Sequence, residues 1–374
     1  MPAHTTLALR LLLALLLVAG PAMKAVAAPV ENWQDIIRKA PYWSSQGVYS
    51  NILDIRRWVL EESGYCSDPE RHLLFDHRGQ FLGYISNGKD SEQTQQRLNA
   101  TRKAMAGSGR STGWTPGGDG ITGYPFALGC DQPHARLAEA RARYLGRSSG
   151  DGLWGRWDDL DFASEQSPGS LHEALLYVTR TRQQQQRIDL PEGLIRYLAG
   201  MILIESGARA RAHSTAGAIG ILQLTPRVLS DCGIAANNHW HRLAQLDCAL
   251  KLMMQNARNL QPVFDERFGH LPQAKKDPLF SLMLIQAYHG GATRVSRLLN
   301  DEELDGAARY FAEHHERFSA GDIAFGMIFH NLGRNRLGLA SLYYVADVEL
   351  ATEALCQHRE LRDTGFCKNQ AAPL

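Results

Sequence analysis

Much is missing from this chain, and each absence removes a class of chemistry. None of its six cysteines stands in a C-x-x-C pair, which argues against a zinc ribbon and against thiol redox catalysis. No Gly-x-Ser-x-Gly elbow is present to offer a serine nucleophile. His172-Glu173 lacks the second histidine of a zinc-protease helix, and His239-Trp240-His241 and His314-His315 lack a third ligand at metal-site spacing. His239, His241, His314 and His315 are expected on the surface, with no metal and no cofactor. Charge is balanced at a formal net +1, so nothing calls for nucleic acid or an acidic-tail partner. There is no internal repeat. The apolar run from Leu11 to Ala19 is too short to span a bilayer.

What is present begins with an address label. Arg10 precedes that apolar run, and Ala25-Val26-Ala27 offers small residues to a signal peptidase. The expectation is a signal peptide over residues 1–27, cut after Ala27, and export to the periplasm. Six cysteines then remain (Cys66, Cys130, Cys232, Cys248, Cys356 and Cys367). An even count in an oxidising compartment suggests disulfides, and pairing neighbours gives 66–130, 232–248 and 356–367, one of many possible connectivities. At 374 residues and 44% hydrophobic content the chain has room for two domains, or for one with large additions.

The stretch 28–162 gives mixed signals and is expected to be an α+β region of unknown type. Ile52, Leu53, Ile55, Val59 and Leu60 mark a helix within Tyr49 to Glu61, and Leu73 to Ile85 reads as a hairpin turning at His77-Arg78-Gly79. Gly107 to Gly123 is rich in glycine and serine and is expected to be a loop; His134 to Tyr144 returns to helix. From residue 163 to 350 the pattern is strongly helical. Ser170-x-x-Glu173 is a capping box. Asp189 with Pro191 opens a helix through Leu194, Leu198, Met201 and Ile202 that ends near Glu205 at Gly207. Leu246, Leu250, Met253, Leu260 and Phe264 predict another helix, and Asp277-Pro278 starts one that stops at Gly290-Gly291. Residues 351–374 form a tail holding the last cysteine pair. The fold class is mostly α.

Glu205 follows Met201-Ile202-Leu203-Ile204 and precedes Ser206-Gly207. A carboxylic acid beside apolar side chains has a raised pKa, because desolvation disfavours its charged form. Such an acid beside a small-residue turn suits protonation of a glycosidic oxygen. The turn follows in Ser214-Thr215-Ala216-Gly217-Ala218-Ile219-Gly220-Ile221-Leu222-Gln223. Gly217 and Gly220 either supply turn conformations or let a sugar approach the backbone.

This spacing resembles the catalytic core of the soluble lytic transglycosylase family, lysozyme-like enzymes that cut bacterial peptidoglycan. The family carries Glu-Ser, then Ser-Pro-Ala-Gly-Ala-x-Gly-Leu-Met-Gln. Glu205, Ser206, Ser214, Ala216, Gly217, Ala218, Gly220 and Gln223 fall on those positions, with Thr215 for the proline and Ile221-Leu222 for Leu-Met. The family's Ala-Tyr-Asn-Ala-Gly with Arg-Val is met by Ala287-Tyr288-His289-Gly290-Gly291 and Arg294-Val295, and its Tyr-Val-x-x-Val by Tyr344-Val345-Ala346-Asp347-Val348. His289 replaces the family's Asn, and Ala208-Arg209-Ala210 stands where Phe-Asn-Pro is usual. The likeness covers residues 170 to 350, about half of the chain.

The resemblance implies a lysozyme-like catalytic domain of the α+β lysozyme superfamily over 163–350, with Glu205 as general acid and then base. It implies substrate contacts from Ser206, Ser214, Gly217, Gly220, Gln223, Tyr288, His289 and Tyr344, Tyr343 being the register alternative for the last. Arg209 and Arg211 either meet peptide-stem carboxylates or are solvated. The implied partner is the peptidoglycan glycan strand, with an envelope protein a further possible partner for the N-terminal region. The implied reaction is cleavage of the β-1,4 bond after N-acetylmuramic acid with a 1,6-anhydro end. A hydrolytic muramidase on the same fold and a non-catalytic glycan-binding scaffold stand as alternatives.

Overall fold

The computed structural model describes residues 37–61, 66, 68–108, 127–130, 136–148, 150–190 and 192–368. The expected signal segment 1–27 and most of the expected loop 107–123 lie outside the described residues, as does Pro191. The described residues all belong to one compact unit, Asn32–Leu374. They are mostly helical, and among them no helix is long and apolar enough to cross a membrane. No boundary in compactness falls at residue 162: the N-terminal region packs on the helices that follow it.

In chain order the first elements are α1 (Val48–Leu60), the strands β1 (Arg71–Phe75) and β2 (Phe81–Ser86), α2 (Ser91–Gly107), β3 (Ala127–Gly129) and α3 (Leu137–Tyr144). β1 lies between β2 and β3, antiparallel to both, with Leu73 opposite Tyr84 and Leu128. The hairpin forms as expected. Asp76 turns it by accepting from the backbone N–H groups of Arg78 and Gln80 at 2.8 and 2.9 Å, while Gly79 takes the left-handed conformation that favours glycine (φ 70°). A short hairpin follows, β4 (Gly155–Trp157) with β5 (Leu160–Phe162).

The helical body comprises α4 (Leu171–Gln184), α5 (Glu192–Ser206), α6 (Pro226–Asp231), α7 (Arg242–Phe268), α8 (Gln273–Gly290), α9 (Ala292–Asn300), α10 (Gly306–Glu313), α11 (Ala320–Phe329), α12 (Leu339–Cys356) and the single turn α13 (Gly365–Lys368). The capping box at Ser170 and Glu173 is formed in both directions, so both end N–H groups are satisfied. α8 starts at Gln273, earlier than Asp277-Pro278 suggests, and carries Pro278 inside it. Pro272 begins it by accepting from both Lys275 and Lys276 N–H. One hydrogen bond forfeited at Pro278 is outweighed by burial of Leu279, Phe280, Leu282 and Met283. α12 runs on to Cys356, past the expected edge at 350.

Tight helix contacts set the geometry of the body. A Cβ at Gly200 of α5 would collide with Thr352 and the Val348 carbonyl of α12, so only glycine lets these helices approach so closely. Across α4 and α7 a fully buried Arg182 grips Asp247 at 2.7 Å (Nε–Oδ1) and 3.2 Å (Nη2–Oδ2), and also meets Asp158 and Asp159. The cysteines pair as neighbours: Cys66–Cys130, Cys232–Cys248 and Cys356–Cys367.

The N-terminal region is stapled to this body by polar as well as apolar contacts. Asp322 of α11 accepts from the N–H groups of Gly47 and Tyr49 at 3.1 and 3.0 Å, capping α1 from outside while also closing its own capping box with Ser319. The Tyr49 ring lies where a Cβ of Gly321 would otherwise stand. The histidine expectation needs correction. His239 is buried, with Nε2 at 3.1 Å from the Ile234 carbonyl. His241 caps α7, its Nδ1 accepting from Ala244 N–H. Both serve local architecture because they terminate the loop that leads into α7. Among the described residues no group of three His, Cys, Asp or Glu side chains is arranged to hold a metal.

Candidate active site

Glu205 sits in the last turn of α5, directly beneath the close Gly200 contact with α12. Antiparallel packing therefore brings Tyr344, one turn before Val348, level with it. The Tyr344 hydroxyl donates to Glu205 Oε1 at 2.5 Å. Tyr344, rather than the register alternative Tyr343, is thus the residue that holds the acid. Burial pushes the Glu205 carboxyl up from 4.5 to about 7, and the Tyr344 hydrogen bond opposes that rise. The same burial, with the charge of Glu205 nearby, raises the phenols of Tyr344 and Tyr288. Near neutral pH a large share of Glu205 is protonated and able to donate.

The acid opens onto a cleft of about 630 Å³, a size that suits a small-molecule or sugar ligand. It is lined by Ile204 and Glu205 of α5, by Ser214, Ala216, Ala218 and Gln223 of the following loop, and by Tyr288 and His289 of α8. Tyr343, Tyr344 and Asp347 of α12 line it too, as do Arg56 and Leu128. The His289 ring stacks on Tyr344, centroids 4.4 Å apart and planes at 23°. His289 therefore braces the tyrosine that holds the acid and presents an exposed edge to the cleft.

The loop after α5 is pinned group by group. The Ser206 hydroxyl lies 2.8 Å from the Ile221 carbonyl, the Tyr288 hydroxyl donates to the Leu222 carbonyl at 2.8 Å, and the Gln223 amide donates to the Gly220 carbonyl at 2.9 Å. Ile221 N–H donates to the side chain of Gln245, which donates in turn to the His239 carbonyl at 2.6 Å. Ser214 closes the preceding turn by accepting from Ala218 N–H at 3.0 Å. These bonds satisfy backbone groups of the irregular loop; the Gly220 carbonyl also accepts from the Gln223 N–H.

Three residues expected to meet substrate do not line the cleft. Ser206 is buried with its hydroxyl turned to backbone. Gly217 serves the turn, with φ 82° and its N–H donating to the Ser214 carbonyl. Gly220 (φ 78°) is required by packing, since a Cβ there would fall on the Gln245 amide. Glu205, Ser214, Gln223, Tyr288, His289 and Tyr344 all line the one cleft. Arg211 stands over the Trp240 ring at 5.7 Å, a cation–π contact away from the cleft lining.

Sequence reading missed Arg56 and Asp347. Arg56 reaches from α1 to α12, where Nε and Nη2 meet the two oxygens of Asp347 at 2.5 and 2.8 Å, and its guanidinium lies 5.2 Å from the Tyr343 ring centroid. Asp347 occupies an open slot of the Tyr344-Val345-Ala346-Asp347-Val348 motif, three residues after Tyr344 and so on the same helix face. That spacing was a usable signal. Arg56 had none, being charged at a buried position within a pattern read for its apolar residues. Compared with known protein families, the chain matches no family model, and a search of curated proteins finds no match.

Proposed function

We propose that this protein is a peptidoglycan lytic transglycosylase of the exported cell-wall compartment, with a lysozyme-like catalytic domain. The observation that carries the reading is Glu205 itself: one carboxyl, pushed up to about 7 by burial, held by Tyr344 and lining an open cleft. In the proposed reaction Glu205 protonates the glycosidic oxygen between N-acetylmuramic acid and N-acetylglucosamine. The acetamido group of the substrate supports the cationic centre. Glu205, now a base, takes the proton of the C6 hydroxyl, and the ring closes to a 1,6-anhydro end without water.

The polar inventory supports a single-acid scheme. Asp347 also lines the cleft, but both of its oxygens are engaged by Arg56, which favours a carboxylate held in place over a mobile nucleophile. Ser214, Gln223 and His289 offer the polar contacts that a sugar chain needs along the walls. Arg56 and Leu128 make the N-terminal region part of the substrate wall in this reading. Mass spectrometry of products released from purified sacculi tests it. Anhydro products, one water lighter than hydrolytic ones, are expected. Products carrying the added water would assign a muramidase instead, and no released glycan would overturn enzymatic cleavage altogether.

A further inference from the structure

A second cavity, of about 420 Å³, opens between α4, the first turns of α5 and the α13 turn. Arg196 and Glu205 share α5 and stand roughly 14 Å apart along its axis, so this cavity is separate from the cleft. Leu176, Ile195 and Phe366 give it an apolar wall. The Cys356–Cys367 disulfide ties the turn that carries Phe366 to the end of α12, so the wall is fixed.

The charged groups facing this space have work left to do. Arg180 and Arg196 also line the cavity; among the described residues neither guanidinium makes an ion pair or hydrogen bond. Two uncommitted guanidinium forks beside an apolar wall match planar anions carried on an apolar body. A lone inorganic anion would leave most of this volume and the Phe366 wall unused.

We propose that this cavity is a second binding site, for a short peptide bearing carboxylates. Arg196 and Arg180 take the carboxylates, and a small apolar side chain packs against Leu176, Ile195 and Phe366. The inference is independent of the glycan-cleaving reading.

Calorimetric titration of the whole mature chain with the tripeptide Ala-Glu-Ala, in all-L and all-D forms, tests it. Saturable binding tighter than about 1 mM is expected. Arg196→Gln should weaken it about tenfold, the loss of one charge-assisted contact, with Arg196→Lys recovering part of the affinity. Glu205→Gln should leave binding unchanged. Preference for the D form points to wall-derived peptides as the source, preference for the L form to a protein segment; either supports the site. The proposal is overturned by lack of saturable binding, or by unchanged affinity in a folded Arg196→Gln variant. Loss of binding in Glu205→Gln, or binding of inorganic phosphate but not of peptide, would overturn it equally.

Discussion

Replacing Glu205 by Gln should make the protein less sensitive to alkali, and the size of the effect follows from the burial of that carboxyl. Its pKa is pushed from 4.5 up to about 7. In an unfolded chain the group ionises near its ordinary value, whereas in the folded protein it holds its proton over a higher range. The sign follows from linkage. Between these two values the folded state binds more protons than the unfolded state, so stability falls as pH rises through that window and then levels off above it. The amide has no charge to bury and carries no such penalty. Each pKa step of one is worth about 1.4 kcal/mol, so the penalty is about 1 kcal/mol at about pH 5 and about 3 kcal/mol at about pH 8. The variant should therefore gain about 2 kcal/mol on wild type between those two conditions, about 3 °C in Tm for a unit of this size. Glu349 is also pushed up to about 7, by burial, but it is common to both proteins and cancels. Thermal unfolding of the pair across that range is the assay. A constant difference, or a gain at acid pH instead, would refute the claim that Glu205 is a desolvated acid.

Further outcomes follow from other contacts. Tyr344→Phe removes the hydrogen bond that favours the ionised acid, so the alkaline fall of a pH–rate profile, expected near about 7 in wild type, should move to higher pH; a fall that stays in place would count against the assigned pair. Gly220→Ala combines a left-handed backbone with overlap on the Gln245 amide and should cost about 2–4 kcal/mol in denaturant unfolding, whereas Gly217→Ala, with open space around it, should cost about 1–2 kcal/mol. Arg56→Met strips the buried Asp347 of its guanidinium partner and should cost about 3 kcal/mol in the same assay. Thiol titration of the denatured, unreduced protein should find no free cysteine, and opening Cys232–Cys248 should cost about 3 kcal/mol.

The acid and its holder were legible through the resemblance, Glu205 falling on the Glu-Ser motif and Tyr344 on Tyr-Val-x-x-Val. Glu205 ends an apolar helix, and Tyr344 stands one turn before a residue that the Gly200 contact brings close, so local pattern and tertiary register agree. Ser206, Gly217 and Gly220 were found by position but misassigned in role, since sequence spacing does not reveal whether a small residue faces a ligand or relieves a clash. Gln245 was hidden for a related reason. It is fully buried on α7, held there by two hydrogen bonds to backbone groups that only the folded loop provides. Arg56 lies 291 residues from its partner, and no local pattern reports a contact of that range. Asp322 caps α1 and Arg56 grips α12, contacts that pack the N-terminal region on the later helices and that no local pattern reports.

The central claim is that Glu205 donates the proton that breaks a glycan chain. Its most direct measurement is the rate at which purified sacculi release soluble fragments with wild-type protein and with folded Glu205→Gln, at equal concentration and near neutral pH. General acid catalysis is worth about 10²–10⁴, so the variant should be slower by at least about a hundredfold while retaining its folded circular dichroism. A variant within about tenfold of wild type, or a wild-type protein that releases nothing, would contradict it.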